Sequence, residues 1–459
     1  MSAGKVAVVG AGLAGLAAAS ELRARGFEVI VLEARERIGG RVWTVREGFA
    51  YGQHAEAGAD LIDEGQDTII GLVRRLGLEL VPILKQGFAS YRLDDDGVRR
   101  VHRGASGWGE LAHRLAPEID AFRLAERRWE GPIARAIARR SVAQWLDEVG
   151  AGAGLRALAT SLRGFFAADP EDMSLLQLVD ELAQEGGAAR GGLYRIRGGN
   201  DQLAAALARD VVVRTGCVVR AIRCRTRAGA GRTSSVVVET EDARGRRETL
   251  HADWCVVALP TSTLREVSLS PALPASQHEA IARLRYGAMA KANVQLERAF
   301  WRVRGRPRAY GSDMPHGAVW DANEEQRGRA GILTLLAGGR ASRALRERIA
   351  RGGFDVVRED LAWLGAHDAR ALHGHVACWE RERWSRGAYA FFDPTFDPEL
   401  RAWLRRPHAR VVFAGEHTSD RWQGYMNGAI ESGLRAAHEL ALLAADDARR
   451  SGRSARRRR

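Results

Sequence analysis

The sequence predicts an α/β fold in which a parallel-sheet domain is interrupted twice by a second, α+β domain. Three observations predict it. Residues 5–33 read strand, glycine turn, helix, strand, the order of two parallel strands joined by a crossover helix. Strand-like runs then give way to helical patterns and return at DVVVRTGCVVRAIRCR, SSVVVET and DWCVVALP. The chain closes on a strand, RVVFAGE, and a long helical pattern, YMNGAIESGLRAAHELALLAA.

Taken in order, KVAVVG is a short β-branched run, LAGLAAASELRARG has helical periodicity up to Gly26, and FEVIVLE is a second buried strand. ARERIGGRVWT follows as a loop rich in glycine and arginine, and residues 56–75 lead into a helix near DTIIGLVRRLG. From 76 to 204 the pattern is helices with long polar faces, such as SVAQWLDEVG and SLLQLVDELAQEGG. A second excursion, 286–404, holds KANVQLERAFW and GILTLLAGG. The expected boundaries are 1–75, 205–285 and 405–448 for the parallel-sheet domain and 76–204 and 286–404 for the inserted one. Residues 449–459 read as a basic, disordered tail.

Composition narrows the function classes. Hydrophobic residues make up 46% of the 459 and charged residues 28%, as in a globular protein. No uninterrupted apolar stretch reaches the roughly 18 to 20 residues of a membrane span. The first apolar segment begins after five residues and is broken by Gly10, Gly12 and Gly15, so no signal peptide and a cytoplasmic location are expected. Cys217, Cys224, Cys255 and Cys378 form no CxxC pair, and no metal site is expected. Of the net charge of +13, seven units come from arginines in the last eleven residues. Such a tail attracts polyanions by counterion release, without specificity. Lys5, Lys85 and Lys291 are the only lysines among 70 basic residues. Where a chain otherwise writes arginine, a retained lysine marks a place for a compact ammonium.

Gly10-Ala11-Gly12-Leu13-Ala14-Gly15 follows a strand and opens a helix, which is the context a dinucleotide fingerprint requires. Gly10 permits the tight turn, Gly12 lets a pyrophosphate approach the backbone, and Gly15 lets the helix pack closely on the strand. Glu33 ends the second strand, where a carboxylate accepts from ribose hydroxyls.

The fingerprint alone does not separate FAD from NAD. A family resemblance does, carried by three segments: EARERIGGRVWT, AKANVQLERAFW and RVVFAGEHTSDRWQGYMNGAIESG. With EAGADLI, LYRIRGGNDQLAAAL and CVVALP between them, the chain resembles the flavin-containing amine oxidases over nearly its whole length, the tail excepted. The resemblance implies a Rossmann-type FAD-binding domain with a doubly inserted substrate domain. It places Gly40 and Arg41 along the pyrophosphate, Val219 at the adenine through its backbone, Glu416 at the ribityl chain and the Met426 N–H at the flavin ring. Leu13 and Ala14 at the helix start, Ala34 and Arg35 beside Glu33, Gly58 and Ala59, and Gly415 and Gly424 complete the implied cofactor set. Lys291, ten residues before Trp301, matches the lysine that holds a water near flavin N5. Tyr389 and Tyr425 match the aromatic pair that flanks the amine, and Trp422 walls the same cavity. Some members attach the flavin to a cysteine where this chain has Ala388, so non-covalent FAD is expected.

The implied reaction is transfer of a hydride from the amine α-carbon to flavin N5, hydrolysis of the imine, and reoxidation by O2 to give H2O2. L-amino acid oxidases share the fold and usually hold the carboxylate with an arginine shortly after the glycine matching Gly58. Here Ala59, Asp60 and Leu61 stand there, which argues against that subclass and leaves it as the alternative. Asp60, Asp63 and Glu64 suggest attraction for a cationic di- or polyamine. A second alternative is a flavoprotein that acts mainly as a binding module through its arginine tail. Absorbance and peroxide production with an amine panel separate these readings. The oligomeric state is not legible.

Overall fold

The computed structural model describes residues 3–104, 106–183, 191–225, 235–365 and 368–456. The chain divides into two compact units: Met1–Arg41, Asp201–Arg283 and Leu400–Arg459, and Val42–Asn200 with Leu284–Glu399.

The first unit is organised by a five-stranded parallel sheet in the order Val212–Arg214, Glu28–Leu32, Lys5–Val9, Trp254–Val257, Val411–Phe413. Its central strands are near-continuous apolar runs because both faces are covered. The helices Leu13–Ala24 and Met426–Arg456 pack on one another. Where they meet, Gly433 leaves room for the contact, since a Cβ there would run into the Ala14 carbonyl oxygen. A second sheet, Arg247–Ala252, Ser235–Glu241, Val218–Arg225 and Ser268–Ser270, completes the unit.

The second unit holds a seven-stranded sheet in the order Ala371–Cys378, Met289–Leu296, Gly331–Gly338, Ala318–Asp321, Ala309–Ser312, Phe88–Leu93, Arg99–Arg103. Short helices between 106 and 183 bury apolar side chains such as Leu111, Phe122, Trp145 and Leu178. Every residue of Met289–Leu296 is buried. Successive side chains of a strand point to opposite faces, so Lys291, Asn293 and Gln295 share one face. A segment of the same unit, residues 50–60, is bound along it. Asn293 Nδ2 donates to Glu56 O at 3.0 Å, and Gln295 exchanges bonds with both backbone groups of Ala50, accepting at 2.9 Å and donating at 3.1 Å.

These contacts move the first boundary from residue 75, where the sequence pattern put it, to Arg41. Thr44–Val45 pairs with Ala55–Glu56, and Ile62–Asp63 joins Leu193–Ile196, so residues 42–75 are built into the second unit. At the other end the helix Met426–Arg456 runs through residues 449–456 of the segment read as a disordered tail. Residues 457–459, and the end of the helix read at SLLQLVDELAQEGG, lie outside the described residues.

Candidate active site

In the first unit Lys5–Val9 lies between Glu28–Leu32 and Trp254–Val257. Strand order reverses there, and such a reversal opens a crevice beyond the carboxyl ends of the strands. Gly10 leaves the strand at φ +101°, and a Cβ on it would stand 2.8 Å from the Ala258 carbonyl oxygen. One on Gly15 would run into the Gly10 carbonyl oxygen. Gly12 differs: no atom lies within 4 Å of its Cβ position. The outer two glycines are packed, and the middle one faces open space. The helix Leu13–Ala24 starts there with no side-chain cap and no acid in its first turn, leaving its amide donors and positive end uncompensated. That donor set suits a pyrophosphate. The residues fit the dinucleotide.

Three further segments of this unit converge on the same turn. Glu33 is buried, its Oε2 accepting the Ala11 N–H at 2.7 Å and its Oε1 the Arg35 N–H at 2.9 Å. Cys217 donates its backbone N–H to Glu33 O at 2.8 Å, and Gly216 donates to Arg35 O at 2.9 Å across the turn that holds Ala34. These bonds bring the strand bearing Val219 alongside, and Val219 stands where its pairing slips. Gly39 donates to Ala11 O at 2.8 Å, and a Cβ on Gly40 would lie 3.2 Å from Gly12 Cα. The Glu416 carboxylate bridges two motifs: Oε1 pairs with Arg41 at 2.9 Å, and Oε2 accepts the Gly424 N–H at 2.9 Å. Gly415 holds this turn at φ +137°, a backbone shape that side chains disfavour. Met426 then opens the long helix, again without an acid in the first turn. Trp422 and Tyr425 meet edge to face at 5.5 Å just before it.

In the second unit Lys291 is buried at 2% exposure. Its Nζ donates to Gly58 O at 3.0 Å and to Asp60 Oδ2 at 3.0 Å, and lies 5.1 Å from the centroid of the Trp320 ring. Asp60 also accepts from Trp320 Nε1 at 2.9 Å and, through Oδ1, from Arg195 Nε. Arg195 is held in turn by Glu325 at 3.1 Å and by the carbonyls of Ala322 and Asp321 at 2.8 and 3.2 Å. Glu56 completes the cluster, accepting from Thr44 Oγ1 at 2.9 Å and from Asn200 N at 2.8 Å.

Burial alone would raise the Asp60 pKa, but Arg195 and then Lys291 override it and hold the carboxyl at about 2. Asp60 is an anion. Burial lowers Lys291 from its ordinary value, with Asp60 opposing. Burial, then the Asp60 charge, raise Glu56 to about 7. Asp60 is therefore committed to internal cations. Asp63 accepts the Gly65 N–H at 2.8 Å, and Glu64 the Gly192 N–H at 2.9 Å. Of the acidic run that suggested attraction for a polyamine, Asp60 is paired with distant cations, Asp63 is bonded within its own turn and Glu64 holds the backbone at Gly192.

Tyr389 packs half-buried against Ala57, Met289, Trp379 and Ala388, its hydroxyl donating to Phe165 O. It belongs to the second unit, as do Gly58 and Ala59, whereas Tyr425, Trp422 and the remaining cofactor positions belong to the first. Sequence reasoning reached Lys291 but missed Glu56, Arg195, Trp320 and the anchoring role of Asp60. The visible signal was the polar–apolar alternation of KANVQL.

Known proteins share this architecture. The model of the flavin containing amine oxidoreductases matches residues 13–441. The chain belongs to that family, and is a flavin-dependent oxidoreductase. A Mycobacterium tuberculosis protein provisionally named flavin-containing monoamine oxidase AofH is 30% identical, over 95% of this chain and 96% of its own. Cyclohexylamine oxidase from Brevibacterium oxydans superposes with a TM-score of 0.81 at 25% identity, over 95% of this chain and 98% of its own. A triple variant of putrescine oxidase gives 0.80 at 25% identity, with the same coverage.

Proposed function

We propose that this protein oxidises small monoamines with apolar substituents, using non-covalently bound FAD and O2. When bound, the flavin supplies the two-electron acceptor for the α-carbon hydride and returns those electrons to O2 as peroxide. The chain's own residues orient, shield and donate. Tyr389 and Tyr425 would offer electron-rich ring faces to the amine nitrogen. Lys291 spends two of its three N–H donors on Gly58 and Asp60, and the third is available to a water. No side chain need act as a general base, because an amine that binds neutral gives up the hydride directly and the imine is hydrolysed by water.

The observation that carries the substrate class is the state of the charges around Lys291. Asp60, Asp321 and Glu325 are each paired with arginine or lysine, and Glu56 is spent on Thr44 and Asn200. No carboxylate of this cluster is left for the second ammonium of a diamine. Arg195, engaged by Asp60 and Glu325, is not left for an amino-acid carboxylate. An amine panel read by peroxide release tests this. Apolar monoamines should exceed diamines and α-amino acids by at least about tenfold in kcat/KM, roughly 1.4 kcal/mol of transition-state binding. A diamine or amino acid that is preferred instead defeats the proposal.

Lys291→Met tests the site itself. It should keep FAD bound and slow flavin reduction by substrate, flavin reoxidation by O2, or both. Rates of both half-reactions within about threefold of the parent, under 1 kcal/mol of barrier, would make Lys291 a bystander.

A further inference from the structure

We propose that Asp60 is a positioning residue: it clamps the Lys291 ammonium in one place and keeps it charged, so that Lys291 works as a fixed donor and never as a base. This rests on the reading of Lys291 given above.

The clamp is rigid at both ends. Three donors from three places converge on the one carboxylate, namely Lys291 Nζ, Trp320 Nε1 and Arg195 Nε. The Asp60 backbone is fixed as well, its carbonyl accepting from Asn200 Nδ2 at 2.7 Å. A lysine carries a flexible four-carbon stem with several rotamers to lose. Tied to Asp60 and Gly58, with the Trp320 ring below it, Nζ has little freedom left. The direction of its remaining N–H is set by those contacts.

Charge balance gives Asp60 its second role. The charged or titratable groups that act on Lys291 are Asp60 and Glu56 from the 50–60 segment and Arg195 from Leu193–Ile196, and Arg195 is itself paired with Glu325 beyond Ala318–Asp321. The two flanking strands place Leu336 and Ala377 opposite it, neither of which titrates. Below about pH 7, with Glu56 protonated, Lys291 and Arg195 are balanced by Asp60 and Glu325. Removing the Asp60 charge takes from Lys291 the carboxylate it touches; Glu56, whose proton Asp60 helps to hold, is bonded to Thr44 and Asn200 instead. Arginine cannot shed a proton in a protein; lysine can, and burial favours its neutral form. Lys291 is the group that would yield, and a neutral amine beside the same water can take a proton as well as give one.

The test is the pH profile of the oxidative half-reaction, recorded by stopped flow on flavin-loaded parent, Asp60→Asn, Lys291→Met and the double variant. Between pH 6 and about 9 the parent rate should fall later, at higher pH, than that of Asp60→Asn, because Asp60 opposes the lowering that burial imposes on Lys291. Asp60→Asn should lose rate as pH rises, with a midpoint inside that window, and approach the Lys291→Met rate at its upper end. In the Lys291→Met background, Asp60→Asn should add nothing. A profile of Asp60→Asn parallel to the parent overturns the proposal, as does an equal effect of Asp60→Asn in both backgrounds. A Lys291→Met variant as fast as the parent in both half-reactions would instead remove the reading on which the proposal rests. Should Asp60→Asn fail to load flavin, Asp60→Ser, which leaves room for a water beside Arg195, carries the same comparison.

Discussion

Arg41 and Glu416, 375 residues apart in sequence, form a 2.9 Å ion pair within the first unit. The pair joins the loop after the second strand to the turn before the last helix, the two places where the family resemblance is most specific. Glu416 is buried and its other oxygen is taken by Gly424. Arg41→Met would thus leave a buried carboxylate short of its cation and the pyrophosphate short of a guanidinium. FAD affinity should fall at least about tenfold, or 1.4 kcal/mol. Titration of the apoprotein with FAD, followed by flavin fluorescence, checks it; unchanged affinity would remove Arg41 from the cofactor site.

Ala388 stands, buried, beside Tyr389, where a covalent link would need a thiol. Acid or heat should release all the yellow colour from the purified protein as free FAD. Flavin retained by the washed precipitate would contradict this.

Glu56 supplies a stability prediction with a definite sign. Burial and Asp60 lift its folded-state pKa to about 7, above the ordinary glutamate value of 4.5. The folded protein therefore holds this proton more tightly than the unfolded chain. Stability from this site is fully present below pH 4.5 and is lost as pH rises through about 7, a change on the order of 3 kcal/mol. Glu56→Gln should abolish that loss, so its advantage in melting temperature over the parent should grow from pH 5 to pH 8. An advantage that stays constant or shrinks across that range would show that Glu56 ionises freely.

Gly433 tests the contact of the first and last helices. Its missing Cβ is what lets the helix Met426–Arg456 approach Ala14. Gly433→Ala should cost roughly 1–3 kcal/mol in urea unfolding, despite alanine's better helix propensity. A stabilised variant would show that the helices can part at little cost.

What the sequence made legible was local or regularly spaced. The turn from Gly10 to Gly15 and the acid Glu33 lie in one βαβ unit, where strand, turn and helix patterns reinforce one another. Lys291 stood out because lysine is rare in this chain and because of its spacing from Trp301. Its surroundings did not stand out. Asp60 and Arg195 are 135 residues apart, and nothing in either neighbourhood names the other. KANVQL shows a polar residue at every second position, which normally marks a strand with one face in water. Here the polar face is covered by residues 50–60, so the same pattern describes a buried strand. Backbone pairing with distant strands, rather than composition, likewise groups residues 42–75 with the second unit, so a division after Arg41 is not visible in the sequence pattern.

That covered polar face bears on how the protein comes into being. Each bond from Lys291, Asn293 and Gln295 to the early segment closes a loop of more than 230 residues. Contacts of such sequence separation carry a large closure entropy and form late. A ribosome has therefore released well over half the chain before Asp60 can meet its lysine. Until then the Ala50, Glu56 and Gly58 carbonyls lack their final donors, and the Ala50 N–H its final acceptor. A fragment ending before Met289 would keep the glycine turn but lack the strand on which the second unit's charged centre is mounted. Catalytic competence, on this account, is acquired only after the middle of the chain has been made.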